Sequence, residues 1–412
     1  MTLERTRFAG TISRNNETFP VDFDVLVGED QRLILSIEPV SERTCFALAQ
    51  GFGKPGSSAE SLILQGTGSK GETFYSDTIE MRRTNGGSAG AHISVIAQEA
   101  KLQFRSNSVE RPRMRLWLRG FKSFPTPSVK MSLGAVRVQG PSRLRSADEA
   151  SGSITVQAIE GTCLDSWIEK ADRFLTFMHC GLAFSRGARL QAPRVDILSG
   201  DVLEHRFYAG DAFGLGLAPI HHLDQGDFIR ALAERFDKTT DFPEILWTVT
   251  GWLHSDSLFD EARFLMSMTS IETAVEHMLP EHASSLIPKA QFEPIRDALL
   301  VALNAREIEE PAATMLQSKI RQLNSRSLHN KIQSLRDHYE LPGTVFTDSK
   351  IKEIVITRNK IVHQGRSEGR PAIWPLIVFI RDFLTQVAFR EIGYSGRHMR
   401  FMDSSELKDV DD

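Results

Sequence analysis

The feature that most constrains this chain is a change of hydrophobic period part-way along it. In residues 1–160 apolar side chains recur at every second position, as at Val21, Phe23, Val25 and Val27, whereas in residues 226–412 they recur at three- and four-residue spacing. A strand buries alternate side chains and a helix buries a stripe, so one kind of element cannot satisfy both halves. The expected fold class is α+β and multidomain, with a β-rich antiparallel domain over 1–160, a mixed α/β junction over 161–225 and an all-α helical bundle over 226–412. A length of 412 residues is also long for one core.

Within the first half, Leu33 to Ile37 and Ser61 to Gln65 are short apolar runs, punctuated by Gly, Ser, Asn and Pro. Asn85-Gly86-Gly87-Ser88 is read as a turn or loop, followed by strands at His92 to Ala97 and Lys101 to Arg105. Gly51 to Gly56 lacks the Gly-Lys-Ser/Thr of a phosphate loop and is read as a plain loop. Arg111, Arg113, Arg115 and Arg119 alternate with Met114, Leu116 and Leu118, which gives one strand an apolar face and a basic one, with Trp117 among the arginines. Two readings fit that strand: Arg113 and Arg115 contact RNA phosphates beside an aromatic platform, or the arginines form a solvated face that guards an edge.

The junction opens with a helix from about Thr162, apolar at Leu164, Trp167, Ile168, Ala171, Phe174, Leu175 and Met178, and continues into strands at Arg194 to Leu198 and Val202 to Tyr208. His179 beside Cys180, and the pair His221-His222, lack third and fourth ligands at useful spacing, so no metal site is expected. Cys45, Cys163 and Cys180 are odd in number and far apart, which fits reduced thiols. Beyond residue 226, helices are predicted at Phe228 to Phe236, from Pro243, and over Asp260 to Leu279, Phe292 to Leu303, Ala312 to Ile320, Leu328 to Tyr339, Ser349 to Gln364 and Ala372 to Ile392.

Charge narrows the function classes. A net charge of -4 gives no general attraction for nucleic acid, so any RNA contact must come from local basic patches. No apolar run reaches membrane-spanning length, and the first ten residues carry charges without an apolar segment, so no membrane partner is expected and the cytoplasm is the expected location.

The richest chemistry lies in Thr357-Arg358-Asn359-Lys360-Ile361-Val362-His363-Gln364-Gly365, on a helix whose apolar stripe is read as Ile351, Ile354, Val355 and Val362. Helix phase puts Asn359 and His363 within about 40° of each other, and Arg358 about 140° from His363 and about 7.5 Å along the axis. An imidazole, a permanent guanidinium and an amide together suit recognition of a phosphodiester and proton transfer at its oxygens. An Arg with a His five residues on is a weak signal in a chain with 12 His.

In context, however, the segment resembles the Arg-Asn-x-x-x-His signature of HEPN domains, and residues 255 to 395 resemble the helix order of HEPN proteins of the ApeA type, bacterial antiviral defence factors with a β-rich region ahead of the HEPN domain. Glu261 to Met278 is similar to the first long HEPN helix, with Glu272 in the place of its site-facing acid; His329-Asn330-Lys331-Ile332 opens a later helix in the same order. The resemblance implies a homodimer that pairs two motifs and cuts RNA such as tRNA without metal or cofactor, restrained until the N-terminal domain meets a phage-derived trigger. It implies His363 as general acid or base, Arg358 as the cation facing the phosphorane-like charge, Asn359 as orienter and Glu272 as the anchor of Arg358 or of the His363 tautomer. Lys360 and Arg366 are assigned further RNA contacts, though the loop Arg366 to Arg370 is equally read as a solvated turn. Many HEPN domains have lost catalysis, and a non-catalytic dimerising or binding module is the other function carried forward.

Overall fold

Every period-two segment of the first half that can be traced is an antiparallel strand. The protein is described by a computed structural model over residues 5–14, 17–28, 31, 33–39, 62–87, 90–105, 111–123, 126–144, 146, 149–210, 216–221, 223–238, 242–254, 259–365, 373–402 and 406–410. The chain forms two units, Met1–Leu217 with His222–Lys238, and Ala218–His221 with Thr239–Asp412.

The first unit holds β1 (Thr6–Arg14), β2 (Glu17–Val27), β3 (Leu33–Pro39), β4 (Leu62–Gly68), β5 (Thr73–Gly87), β6 (Gly90–Ala97) and β7 (Glu99–Arg105). They are followed by β8 (Arg113–Arg119), β9 (Val129–Met131), β10 (Gly134–Gln139), β11 (Ala150–Gln157), β12 (Gln191–Ser199) and β13 (Val202–Tyr208). All join one 13-stranded sheet in the order β4-β1-β2-β3-β6-β5-β7-β13-β12-β8-β11-β10-β9, and β4 also pairs with β5. That extra pairing closes the first six into a barrel-like ring. Alternate side chains of the ring point inward and pack around Phe8, Phe23 and Phe74, whose ring centroids lie 5.3 to 6.0 Å apart. Gly10 and Gly66 face each other across β1 and β4, and a Cβ on Gly10 would lie 2.0 Å from the Gln65 carbonyl oxygen. Only glycine admits so close an approach of two backbones.

The strands of the stretch read as a junction, β12 and β13, lie inside this sheet between β7 and β8. Each fills an edge that would otherwise leave backbone donors unpaired. The apolar face of β8 and β11, with Met114, Leu116, Leu118, Ile154 and Val156 buried, is covered by helix α1 (Leu164–Arg186). Helix α2 (Gln225–Asp237) packs on α1 through Phe236 against Phe174, with ring centroids 5.0 Å apart.

The second unit is helical: α3 (Ile245–Leu253), α4 (Asp260–Met278), α5 (Glu281–Ser284), α6 (Lys289–Asn304), α7 (Glu310–Gln322), α8 (Leu328–His338), α9 (Asp348–Gln364) and α10 (Ile373–Ile392). Helix α10 is buried along nearly its whole length and packs against α3 and α4, as a helix apolar all round must. Phe379 and Phe383 receive Phe346 edge-on at 5.8 and 5.3 Å.

An element absent from the sequence reading follows α10, a hairpin of β14 (Arg397–Arg400) and β15 (Glu406–Asp409). It is fastened to α10 by polar groups. The Met402 N–H donates to Asp382 Oδ2 at 2.8 Å, and His398 Nε2 lies 2.9 Å from Gln386 Nε2. Burial pushes the Asp382 carboxyl up to about 7 and the His398 imidazole down to about 4. Among the described residues, no helix is long and apolar enough to cross a membrane.

Candidate functional site in the helical unit

The motif helix α9 is defined at both ends by local chemistry. Thr347 caps it by accepting from the Lys350 N–H, and Gly365 ends it in the left-handed region at φ 72, donating to the Ile361 carbonyl at 2.8 Å. Its buried stripe is Ile351, Ile354, Thr357 and Ile361. This differs from the expected stripe at one end: Val362 is 50% exposed, because Ile361 takes the inward position in the last turn.

Arg358 emerges at the border of that stripe, half-buried. Its Nε donates to Glu272 Oε1 on α4 at 3.0 Å, and Nη1 donates to Asn359 Oδ1 at 3.3 Å. Glu272 therefore holds Arg358, the first of the two roles expected of it. The second anchor is indirect: Arg336 on α8 donates to the Phe346 carbonyl at 3.0 Å and to Asp348 at 2.7 Å, which ties α8 to the start of α9. Hydrogen bonds from Gln333 and Arg336 hold the Asp348 carboxyl below its usual range.

These three helices enclose an open cleft of about 480 Å³, with Glu272 and Glu276 from α4, Arg358 and Asn359 from α9, and the residues opening α8. Sequence reasoning did not assign the α8 side to a site. It consists of Arg326, Ser327, Leu328, His329 and Lys331. Ser327 caps α8 by accepting from the Asn330 N–H, His329 Nδ1 lies 3.1 Å from Asn330 Oδ1, Arg326 Nε donates to the Ser285 carbonyl at 2.8 Å, and Lys331 Nζ lies 3.7 Å from Glu276. A serine cap followed by His and Lys in the first turn was the available signal, but nothing local in the sequence says that this turn faces Arg358.

The structure brings Arg358, Asn359 and Glu272 together in the cleft and leaves His363 outside its lining. His363 and Lys360 are exposed on α9, with His363 in its last turn. Arg366 lies outside the described residues. Arg113 and Arg115 belong to β8 in the first unit, where the aromatic platform is already occupied. Arg115 and Arg194 lie 5.3 and 5.6 Å from the Trp117 ring centroid, and Trp117 Nε1 donates to Asp196 at 2.7 Å. Stacking on two guanidinium groups and bonding a buried carboxylate fixes that indole within the protein. The same Asp196 accepts from Arg194 and binds His205. Burial raises the Asp196 carboxyl, but the His205 hydrogen bond and the charge of Arg194 outweigh it and hold it below its usual value. His179, considered as a ligand in the sequence, is half-buried with Nε2 2.6 Å from the Leu190 carbonyl oxygen.

Chemically, the cleft places two guanidinium groups, an amine, an imidazole and an amide around a space of nucleotide size, against two carboxylates. Such a set favours an anion with several acceptor oxygens. No family model, curated protein or solved structure matches the chain.

Proposed function

We propose that the chain is a metal-independent RNA-cleaving enzyme of the HEPN type, serving bacterial antiviral defence by cutting cellular RNA such as tRNA when its β-rich unit meets a phage-derived trigger. The observation that carries this reading is the Arg358–Glu272 contact in an open cleft, with Asn359 beside it and His363 solvent-facing on the same helix. Glu272 orients the guanidinium without burying it, so Arg358 keeps N–H donors for phosphate oxygens as negative charge builds in the transition state. His363 exchanges protons with the ribose 2′-OH or the leaving oxygen. Because His363 stands outside the cleft lining, the reading requires a second copy of the chain, so that an imidazole reaches a guanidinium across a two-fold axis.

The test is incubation of the full chain with RNA in chelator. Cleavage that disappears in Arg358→Ala and in His363→Ala, with unchanged far-UV circular dichroism, is the expected result. Cleavage equal in all three proteins would sink it.

The position of His363 also favours a second reading, a non-catalytic module in which the helical bundle only dimerises and the β-rich unit recognises a phage component or single-stranded nucleic acid. On that reading both substitutions leave the antiviral phenotype intact.

A further inference from the structure

We propose that the α8 side of the cleft, made of Arg326, His329 and Lys331, is a phosphate subsite that holds the nucleotide next to the RNA linkage addressed by Arg358. The inference rests on the RNA reading of the cleft and names residues that reading does not use.

The availability of each group argues for it. Arg326 commits Nε to the Ser285 carbonyl, which fixes the guanidinium and leaves its terminal nitrogens without a protein partner among the described residues. Lys331 is held by Glu276 only loosely, at 3.7 Å, and the two side chains are unequally solvated: 18% of Lys331 is exposed against 69% of Glu276. The ammonium is thus partly desolvated and weakly partnered, while its carboxylate is well hydrated, a combination that a phosphate competes with readily. His329 engages Asn330 through Nδ1 and lines the cleft.

The backbone adds to this. Leu328 and His329 occupy the first turn of α8, where N–H groups have no carbonyl four residues back, and both residues line the cleft. On the opposite wall Glu272 is neutralised by Arg358, so the uncompensated charge lies on the α8 side. An RNA strand crossing the cleft would meet Arg358 on one wall and Lys331 on the other.

Binding of a 2′-O-methyl oligoribonucleotide, which lacks the reactive hydroxyl, tests the subsite without cleavage. Fluorescence anisotropy with the full chain should show Lys331→Ala and His329→Ala weakening binding by about tenfold at low salt, and Lys331→Ala lowering the salt slope of log Kd by about 0.7. Glu276→Gln, which frees Lys331, should tighten binding, an effect that loss of structure cannot mimic. Unchanged affinity and slope in both alanine variants overturns the subsite, as does a Glu276→Gln protein that binds no better, which also decides the matter if an alanine variant misfolds. Cleavage lost in Arg358→Ala with normal binding in Lys331→Ala removes the subsite and keeps the nuclease. A wild-type chain that cuts nothing, yet loses affinity on Lys331→Ala, removes the nuclease and keeps the subsite.

Discussion

Arg358 and Glu272, 86 residues apart in sequence, meet at 3.0 Å with each side chain one-third exposed. Charges in that setting contribute about 0.2–1 kcal/mol, because water screens them and ordering two long side chains opposes the gain. The helices are held by Ile351, Ile354, Ile271 and Phe264, all fully buried, rather than by this pair. Arg358→Ala should therefore reduce stability by about 1 kcal/mol or less and, on the proposed RNA-cleaving role in which it faces the transition-state charge, reduce cleavage by about 10²-fold or more. Urea unfolding and a chelated RNA assay on one preparation check both halves.

His363 is exposed and outside the cleft lining, so activity should depend on association. Specific activity should rise with protein concentration and level off. If an intact site takes Arg358 from one copy and His363 from the other, mixing inactive Arg358→Ala with inactive His363→Ala should restore about a quarter of wild-type activity, from mixed dimers with one intact site. A mixture as dead as its parts argues that both residues act from one copy.

The C-terminal hairpin should respond to pH through two groups of opposite sign. Asp382, raised by burial to about 7, contributes stability that is complete below about pH 4 and lost as pH rises to 7; the nearby Arg381 and Arg400 only moderate this. His398, depressed by burial to about 4, contributes stability that is present above pH 6.5 and lost as pH falls toward 4. Their slopes oppose each other between about pH 4 and 6.5, each about 1.4 kcal/mol per pH unit at most. Asp382→Asn should make stability climb with pH across that window, and His398→Gln should make it fall. Denaturant titrations at both ends of the window measure the change.

In the first unit, Asp196→Ala should cost about 3 kcal/mol, because Trp117, Arg194 and His205 would all lose their acceptor within a buried cluster. The wild-type carboxyl is depressed, so this contribution is present above its ordinary pKa and lost as pH falls through the lower folded value. The variant should melt earlier at neutral pH, and its gap from wild type should narrow in acid. An equal gap at every pH would show that packing, not the carboxylate, is responsible.

Much of this was legible where periodicity is strong. Helices α4, α8, α9 and α10 stand close to the predicted spans, since amphipathic spacing over three or more turns leaves little choice. Strand β5 was not legible: Thr73–Gly87 carries charges and glycines, and its conformation comes from backbone bonds to β4, β6 and β7. The four-residue strands of the hairpin are too short and charged to show a period. Of the cleft, Arg358, Asn359 and Glu272 could be named from the motif and the first long helix. His329 and Lys331 could not be, because only the packing of α8 against α9 brings them near Arg358.

Strand β5 ladders with β4 and β7 through its first residues and with β6 through the rest. It is the seam shared by the closed ring and the open remainder of the sheet. A slip of one residue along it would turn Phe74 out of the aromatic core and break three sets of hydrogen bonds together. The β-rich unit should therefore lose its order all at once, with amides of β2 and β11 exchanging with solvent at matching rates under native conditions.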